Sequence, residues 1–283
     1  MYVKPLASYF SQGTPTKLYH YTGVGALHGM ALHKKLWATH IYYLNDSKEL
    51  LHAVELMLDA LDSIWLIAPN EKSDFAGHLN TWLKDLPRRP FDLFVFSLSE
   101  EENLLSQWRS YTPHGKGVCI DFPEWTLQNL IYQNGLKLGK CLYEKTEHSE
   151  LLLALVEFLW NLFAKLPAKP TVYDEYATYF SSHRVTILET LALVKHKAFS
   201  EEKEWRLIKC SEHTEDEIFY REGPTMLIPY SQLALDEGGK WFGTIRLGPS
   251  EHPELAISSL GRFTSQYRLC QSVIPSYIPY RKL

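Results

Sequence analysis

The sequence predicts an α+β protein, and three observations carry that expectation. Short apolar and aromatic runs of strand length lie towards both ends of the chain. A long stretch of helical spacing lies between them. Strands and helices do not alternate one for one, as a parallel βαβ chain would require. No Gly-, Pro- or Ser-rich linker and no internal repeat divides the 283 residues. We therefore expect one domain over residues 1–283, with a helical insertion over about 146–199.

The elements follow in order. Residues 17–21 read as a short strand and 24–34 as a helix with Leu27, Met30 and Ala31 on one face. Residues 36–44 alternate as a second strand. Asn45, Asp46 and Ser47 end it and cap a helix over 48–61, in which Leu50, Leu51, Val54, Leu58 and Leu61 keep helical spacing. A polar helix or loop continues to about residue 86. Residues 91–98 are the clearest strand. Ser99 and the acids Glu100, Glu101 and Glu102 suit the start of a helix over 99–111, because carboxylates favour the positive end of the helix dipole. Strands are expected at 117–122 and 136–143. Residues 148–199 read as helical in two pieces split around 165–170. Strands follow at 204–210, 218–221, 226–229 and 244–247, then a helix near 253–260 and a last strand near 267–278.

Composition narrows the function classes. The formal charge of −4 gives no global basic footprint of the kind nucleic-acid binders often carry, although a local basic groove remains compatible with it. Residues 1–10 lack the basic start and apolar stretch of a signal peptide, and residues 151–163 form an apolar run too short for a membrane span of about 20 residues. That run is expected to be a buried core helix, and the protein to be cytoplasmic, without membrane attachment. Cys119, Cys141, Cys210 and Cys270 are widely spaced and read as reduced core residues. No metal is expected, because His-Glu-x-x-His and paired Cys-x-x-Cys motifs are absent. Gly-x-Ser-x-Gly is missing too, and Gly115-Lys116-Gly117 fits neither a P-loop nor a dinucleotide fingerprint.

Three short patterns could carry chemistry. In Tyr19-His20-Tyr21-Thr22, strand alternation turns His20 and Thr22 one way and the two tyrosines the other. An imidazole and a hydroxyl side by side can hold a ribose hydroxyl and an amide, although such a pattern is more often core packing. In the run from Glu201 to Ile208, Glu202, Glu204 and Arg206 share one face, with Trp205 and Leu207 on the other. A carboxylate at a strand start can stabilise developing positive charge, and a solvated Glu-Arg ladder is the plainer alternative. Arg109, in Trp108-Arg109-Ser110-Tyr111, could bind an anion such as pyrophosphate, or form a surface salt bridge.

These pieces occur in a recognisable order. Tyr19-His20-Tyr21, Leu36-Trp37, Asn45 to Glu49, Phe96-Ser97-Leu98-Ser99, Trp108 to Tyr111, Gly117 to Phe122, Glu202 to Arg206 and Ile278 to Arg281 resemble the landmarks of a widespread bacterial family of uncharacterised proteins. That likeness spans nearly the whole chain and implies no reaction. More distantly, Leu18 to Thr22, the short helix after it and Leu36-Trp37 resemble the start of His-Tyr-Glu ADP-ribosyltransferases, especially the toxins that modify DNA. This second resemblance implies an ADP-ribosyltransferase-like split β-sheet core and NAD as the substrate. It also implies a macromolecular acceptor, nucleic acid or protein, and a role as a toxin or anti-phage defence effector. By position, His20 and Thr22 would hold the ribose and nicotinamide amide. Tyr42 or Tyr43 would stack on the nicotinamide, and Glu204, or else Glu202, would aid glycosidic cleavage. NAD hydrolysis without an acceptor is a close variant.

Two other classes stay open. Trp37, Tyr42, Tyr43, Trp108 and Tyr111 could serve a non-catalytic module that recognises nucleic acid or protein by stacking. Scattered Asp46, Glu49 and Asp121 could serve a metal-dependent nuclease, without a compact acidic motif to support it. Neither the acceptor nor the oligomeric state is legible in the sequence.

Overall fold

A computed structural model describes residues 3–10, 13–44, 49–65, 70–86, 91–211 and 217–278. The first half of the chain runs β1 (Lys17–Gly23), α1 (Val24–His33), β2 (Lys35–His40), α2 (Glu49–Trp65), α3 (Asn70–Asp85), β3 (Asp92–Ser99), α4 (Leu105–Tyr111), β4 (Gly117–Pro123), α5 (Glu124–Asn134) and β5 (Lys137–Lys140). The second half runs α6 (Lys145–Phe163), α7 (Tyr173–Ser182), α8 (Arg184–Leu191), β6 (Glu204–Ser211), β7 (Phe219–Glu222), β8 (Leu227–Ala234), β9 (Phe242–Leu247), α9 (Pro253–Gln266) and β10 (Cys270–Pro275). This is the expected α+β class. The caps at Asn45, Asp46 and Ser47 and the closing Pro279, Tyr280 and Arg281 lie outside the described residues.

Among the described residues, ten strands form one mixed sheet in the order β10-β9-β4-β1-β3-β2-β8-β7, with β6 also paired to β3 and β5 to β6. Strand alternation gives the sheet two apolar faces, each covered by helices. Leu18, Phe96, Phe122, Trp205 and Leu207 point towards α1, α5 and α9, which bring Leu27, Leu127 and Leu260. Leu93, Val95 and Ile208 point the other way, into a core with Leu79, Leu155, Phe163, Phe180 and Leu188. That second layer joins α6, α7 and α8, the expected insertion, to α2 and α3 from the first half of the chain.

Several boundaries differ from the sequence reading, each for a local reason. The second strand stops at His40 rather than running to residue 44. The His40 ring accepts from the Tyr42 N–H and bonds the Phe91 carbonyl at 3.0 Å, and so caps a 3-10 turn over Ile41–Tyr43. No helix starts at Ser99. Its hydroxyl donates to the Glu202 carbonyl and accepts from the Glu101 N–H, while Glu100, Glu101 and Glu102 pair with Lys140, Lys203 and Arg246. The helix begins only at Leu105. Helix α5 was not read from the sequence, although Pro123 opens it and Gly135, left-handed at φ 61°, closes it. The region between β5 and β6 holds three helices, because a break at His183 separates α7 from α8. Leu51, expected on the buried face of α2, is 38% exposed, and Ala53 and Met57 are buried instead.

The apolar run at residues 151–163 is the buried face of α6, and no helix among the described residues is long and apolar enough to cross a membrane. Phe163 sits at the centre of the helical layer, with its ring 4.9 Å from Phe75, 5.5 Å from Tyr176 and 5.6 Å from both Trp160 and Tyr179. A phenylalanine enclosed by rings on three helices leaves a cavity that cannot collapse when it is truncated. Phe163→Ala is expected to lower stability by about 3–5 kcal/mol, read as a shift in the urea unfolding midpoint.

Candidate functional site

The site arises where the sheet comes apart. Strand β1 meets β3 only at Tyr19 opposite Ser99, and β2 meets it only at Thr39 opposite Val95 and His40 opposite Phe94. Between those contacts no strand pairs with the outer edge of β3 at Phe96, Ser97 and Leu98. The other edge of β3 pairs with β6 along its length, from Asp92 opposite Ser211 to Ser99 opposite Glu204. The resulting notch opens a cavity of about 510 Å³, lined by β1, α1, β2, β3, α4 and the start of β6.

The notch resolves a conflict in the side-chain alternation. His20 lies on the face of Phe96, stacked on that ring at 4.2 Å, while Glu204 lies on the opposite face, opposite Ser99. In a continuous sheet the two could not share a pocket. Because β1 and β2 diverge over β3, the cavity passes between them, and both His20 and Glu204 line it. Thr22, Gly25 and Ala26 line the same cavity as His20.

The His20 ring is held in one state. Its Nδ1 lies 2.9 Å from the Ser97 carbonyl oxygen, which can only accept, so Nδ1 carries the proton and Nε2 is left as an acceptor. Desolvation pushes the pKa down to about 4, against the opposing pull of that carbonyl. The imidazole is neutral at physiological pH and suited to accept from a hydroxyl.

Across the notch lies a cluster of three carboxylates and two cations. Arg206, fully buried, donates through Nε to Glu204 Oε1 at 3.0 Å and through Nη2 to Glu49 Oε1 at 2.6 Å. Its Nη1 donates to the Ala192 carbonyl at 2.6 Å. Lys195 bridges Glu202 and Glu204. Burial alone would raise the Glu204 pKa, but Arg206 and Lys195 outweigh it and bring the value down to about 2. Burial also works against the charge on Lys195, and the neighbouring Glu204 holds it protonated, well above the ordinary lysine range. Desolvation raises Glu49 despite Arg206 beside it. The Tyr111 hydroxyl donates to Glu202 Oε1 at 2.6 Å, and burial followed by the Glu202 charge pushes that phenol up.

The two candidate acids therefore differ. Both oxygens of Glu204 are taken by cationic donors, and its side chain is only 5% exposed. Glu202 keeps 15% of its side chain exposed and accepts from Tyr111 and Lys195. It stands at the end of a 3-10 turn over Lys197–Glu202, and Lys203, left-handed at φ 43°, swings the chain into β6. The solvated Glu-Arg ladder considered from sequence is instead a buried ion network.

Of the expected aromatics, Tyr43 lines the cavity and is 39% exposed, whereas Tyr42 does not line it. Tyr42 packs on the helical core beside Phe91, with a buried hydroxyl that has no hydrogen-bond partner. The 3-10 turn that replaced the end of the strand sends the two rings in different directions. Trp37 also lines the cavity, 43% exposed and tilted against the Tyr230 ring at 4.6 Å. Arg109 does not line the cavity, while Arg221 on β7 does. Of the acids considered for a metal site, Glu49 is committed to Arg206, Asp121 lies near Lys17, and Asp46 is outside the described residues. Among the described residues no group of three His, Cys, Asp or Glu side chains could hold a metal ion.

Sequence reasoning missed Lys195, Gln107 and Arg221, and considered Glu49 only as a scattered acid for a metal site. Lys195 carried no signal, because it sits in the connection after α8, where its N–H donates to the Leu142 carbonyl at 3.0 Å.

A family model described as "Protein of unknown function (DUF2971)" matches residues 107–207, so this part of the chain fits an uncharacterised family. The matched segment holds Trp108 to Tyr111, Gly117 to Phe122 and the whole Glu202 to Arg206 run, but not β1 or β2. No curated protein and no solved structure matches the chain.

Two predictions follow from these charges. Glu204→Ala leaves Arg206 and Lys195 buried without their shared anion and is expected to cost about 3–5 kcal/mol. Glu202→Gln keeps an amide oxygen for one of its two donors and leaves Lys195 paired with Glu204, so it is expected to cost less, about 1–2 kcal/mol; paired denaturant melts measure both. His20 is protonated in the unfolded chain below pH 6.5 but in the folded chain only below about 4. The unfolded state thus binds the extra proton between those values, and stability falls as pH falls through that window. His20→Asn is expected to remove up to about 1.4 kcal/mol per pH unit from the slope there, measured by urea melts at stepped pH.

Proposed function

We propose that the protein cleaves the nicotinamide–ribose bond of NAD and transfers ADP-ribose to a macromolecule. One observation carries this reading. His20 and Thr22 of β1, Tyr43 after β2 and the Glu202/Glu204 pair at the start of β6 line one cavity, although alternation puts them on opposite sheet faces. The parting of β1 and β2 over β3 likewise supports an ADP-ribosyltransferase-like split sheet with the helices of residues 145–191 inserted.

The chemistry suits the charges. When the C1′–N bond breaks, its electron pair leaves with nicotinamide, and positive charge develops on the ribose. The carboxylates Glu49, Glu202 and Glu204 outnumber Lys195 and Arg206 by one, so this end of the cavity is anionic when all are ionised. A preorganised anionic end stabilises that developing charge more than the ground state. Neutral His20 accepts from a ribose hydroxyl, Thr22 bonds the amide and Tyr43 offers a face to the nicotinamide. Glu202 is the carboxylate assigned to the reacting centre, because it is the more exposed of the two and is held by one cation, Lys195, where Glu204 is held by two. Glu204 positions Lys195 and Arg206. The acceptor nucleophile then adds at C1′ and gives up its proton. The DNA-toxin resemblance favours a nucleic-acid acceptor and a toxin or defence role, with water as the acceptor in a hydrolase variant.

A second reading rests on the same saturation of Glu204. If its ion pairs are purely structural, the cavity with exposed Trp37 and Tyr43 is a recognition site without catalysis.

The test is nicotinamide release by the full chain with NAD, with and without nucleic-acid and protein acceptors. Glu202→Gln is expected to slow release by about 10²-fold or more while the protein stays folded at the assay temperature. No release by the wild type above buffer, or equal release by both proteins, overturns the proposal. Saturable ligand binding without turnover points to the recognition reading.

A further inference from the structure

The flank of the cavity formed by β2, β8 and β7 carries a cation that no carboxylate among the described residues pairs with. Arg221 lines the cavity, and its Nη2 donates to Thr39 Oγ1 at 3.2 Å. Its Nε–H is buried and has no hydrogen-bond partner. No carboxylate of the described residues forms an ion pair with it, in contrast to Arg206 and Arg246, which both have acidic partners. Burial lowers its pKa, the direction expected of a guanidinium taken from water without compensation. A native arginine that gives up hydration and gains no anion is one whose anion arrives with a ligand.

The surroundings say which anion. Strand alternation places Lys35, Trp37 and Thr39 on one face of β2, and Thr39 stands opposite Tyr230, which in turn stands opposite Phe219. Rings from three adjacent strands form a ladder there, Phe219 at 5.8 Å from Tyr230 and Tyr230 at 4.6 Å from Trp37. Trp37 at its end keeps 43% of its surface exposed in the same cavity as Arg221. A guanidinium fork beside an open aromatic face matches a phosphate ester joined to a base.

We infer that Arg221, assisted by Thr39, is a phosphate site for a nucleotide whose base stacks on Trp37. This role was left to Arg109 by sequence, and Arg109 lies away from the cavity lining. The site does not depend on the glycosidic chemistry proposed above, because it lies on β7 and β2 rather than at the acid cluster. Two sources share its ligand chemistry, a free nucleotide and a nucleic-acid strand.

The experiment titrates the full chain with ADP, with pyrophosphate, with a short single-stranded oligonucleotide and with succinate, each followed by calorimetry. Arg221→Gln is expected to weaken ADP or oligonucleotide binding by about 10- to 100-fold, the loss of one charge-assisted contact. Arg221→Lys should recover part of it. Trp37→Ala should weaken ADP without affecting pyrophosphate. Arg221-dependent binding of ADP identifies a free nucleotide as the source, and Arg221-dependent binding of the oligonucleotide alone identifies a strand; either supports the site. Equal affinity in wild type and Arg221→Gln, no saturable binding of any phosphate, or equally tight Arg221-dependent succinate binding overturns it. Because NAD turnover is not among the readouts, the Arg221 site and the NAD proposal stand or fall separately.

Discussion

Arg206 is the interaction around which the rest of the site is arranged. It is fully buried on β6, and its three nitrogens reach Glu204 on its own strand, Glu49 at the start of α2 and the Ala192 carbonyl just after α8. A buried guanidinium is tolerable only when its donors are met, so these three elements are held in one mutual position. That position fixes Lys195, which follows α8 by a few residues, against Glu202 and Glu204. The acid cluster is therefore a product of the helical layer as much as of the sheet. Without α2 and α8, Glu204 would keep only Arg206 of its own strand to order it.

The second constraint is the unpaired edge of β3. A strand edge inside a protein leaves backbone groups that need partners. Here His20 supplies one of them, by bonding the Ser97 carbonyl. The same bond selects the tautomer that leaves Nε2 as an acceptor towards the cavity. An interruption in the ladder and an oriented neutral imidazole are thus one structural event. The ring stack of His20 on Phe96 shields the bond and contributes the desolvation that keeps the ring uncharged.

Much of the fold was legible because it follows local rules. The β1 alternation, the buried face of α1 and the length of β3 obey periods of 2 and 3.6 residues and emerge as read. The misses fall where a side chain overrides the local pattern. His40 capped a turn in residues that otherwise alternate like a strand. Ser99 and three acids resembled a helix start but were drawn off by Glu202, Lys140, Lys203 and Arg246. The site was legible in part for the same reason. His20 and Glu204 lie in ordered motifs, while Lys195 and Arg221 have no motif and are brought in by tertiary contacts. Even the correct face assignments gave no hint that opposite faces could meet, since a break in strand pairing is not encoded in any single strand.

The cavity that results carries charge at two separate places in a largely apolar lining. One end holds three carboxylates against two cations, and the β7–β2 flank holds Arg221 with no acidic partner among the described residues, with Trp37 and Tyr43 as open rings in the same space. A ligand matched to that order carries its anionic group and its developing or fixed positive charge on different parts of one molecule. In a low-dielectric cavity the two complementarities also orient the ligand, because reversing it would place phosphate against carboxylates and leave Arg221 unmet. Orientation of this kind needs no extra contact. It comes from which cations the protein meets with its own carboxylates, Arg206 and Lys195, and which, Arg221, no described carboxylate meets.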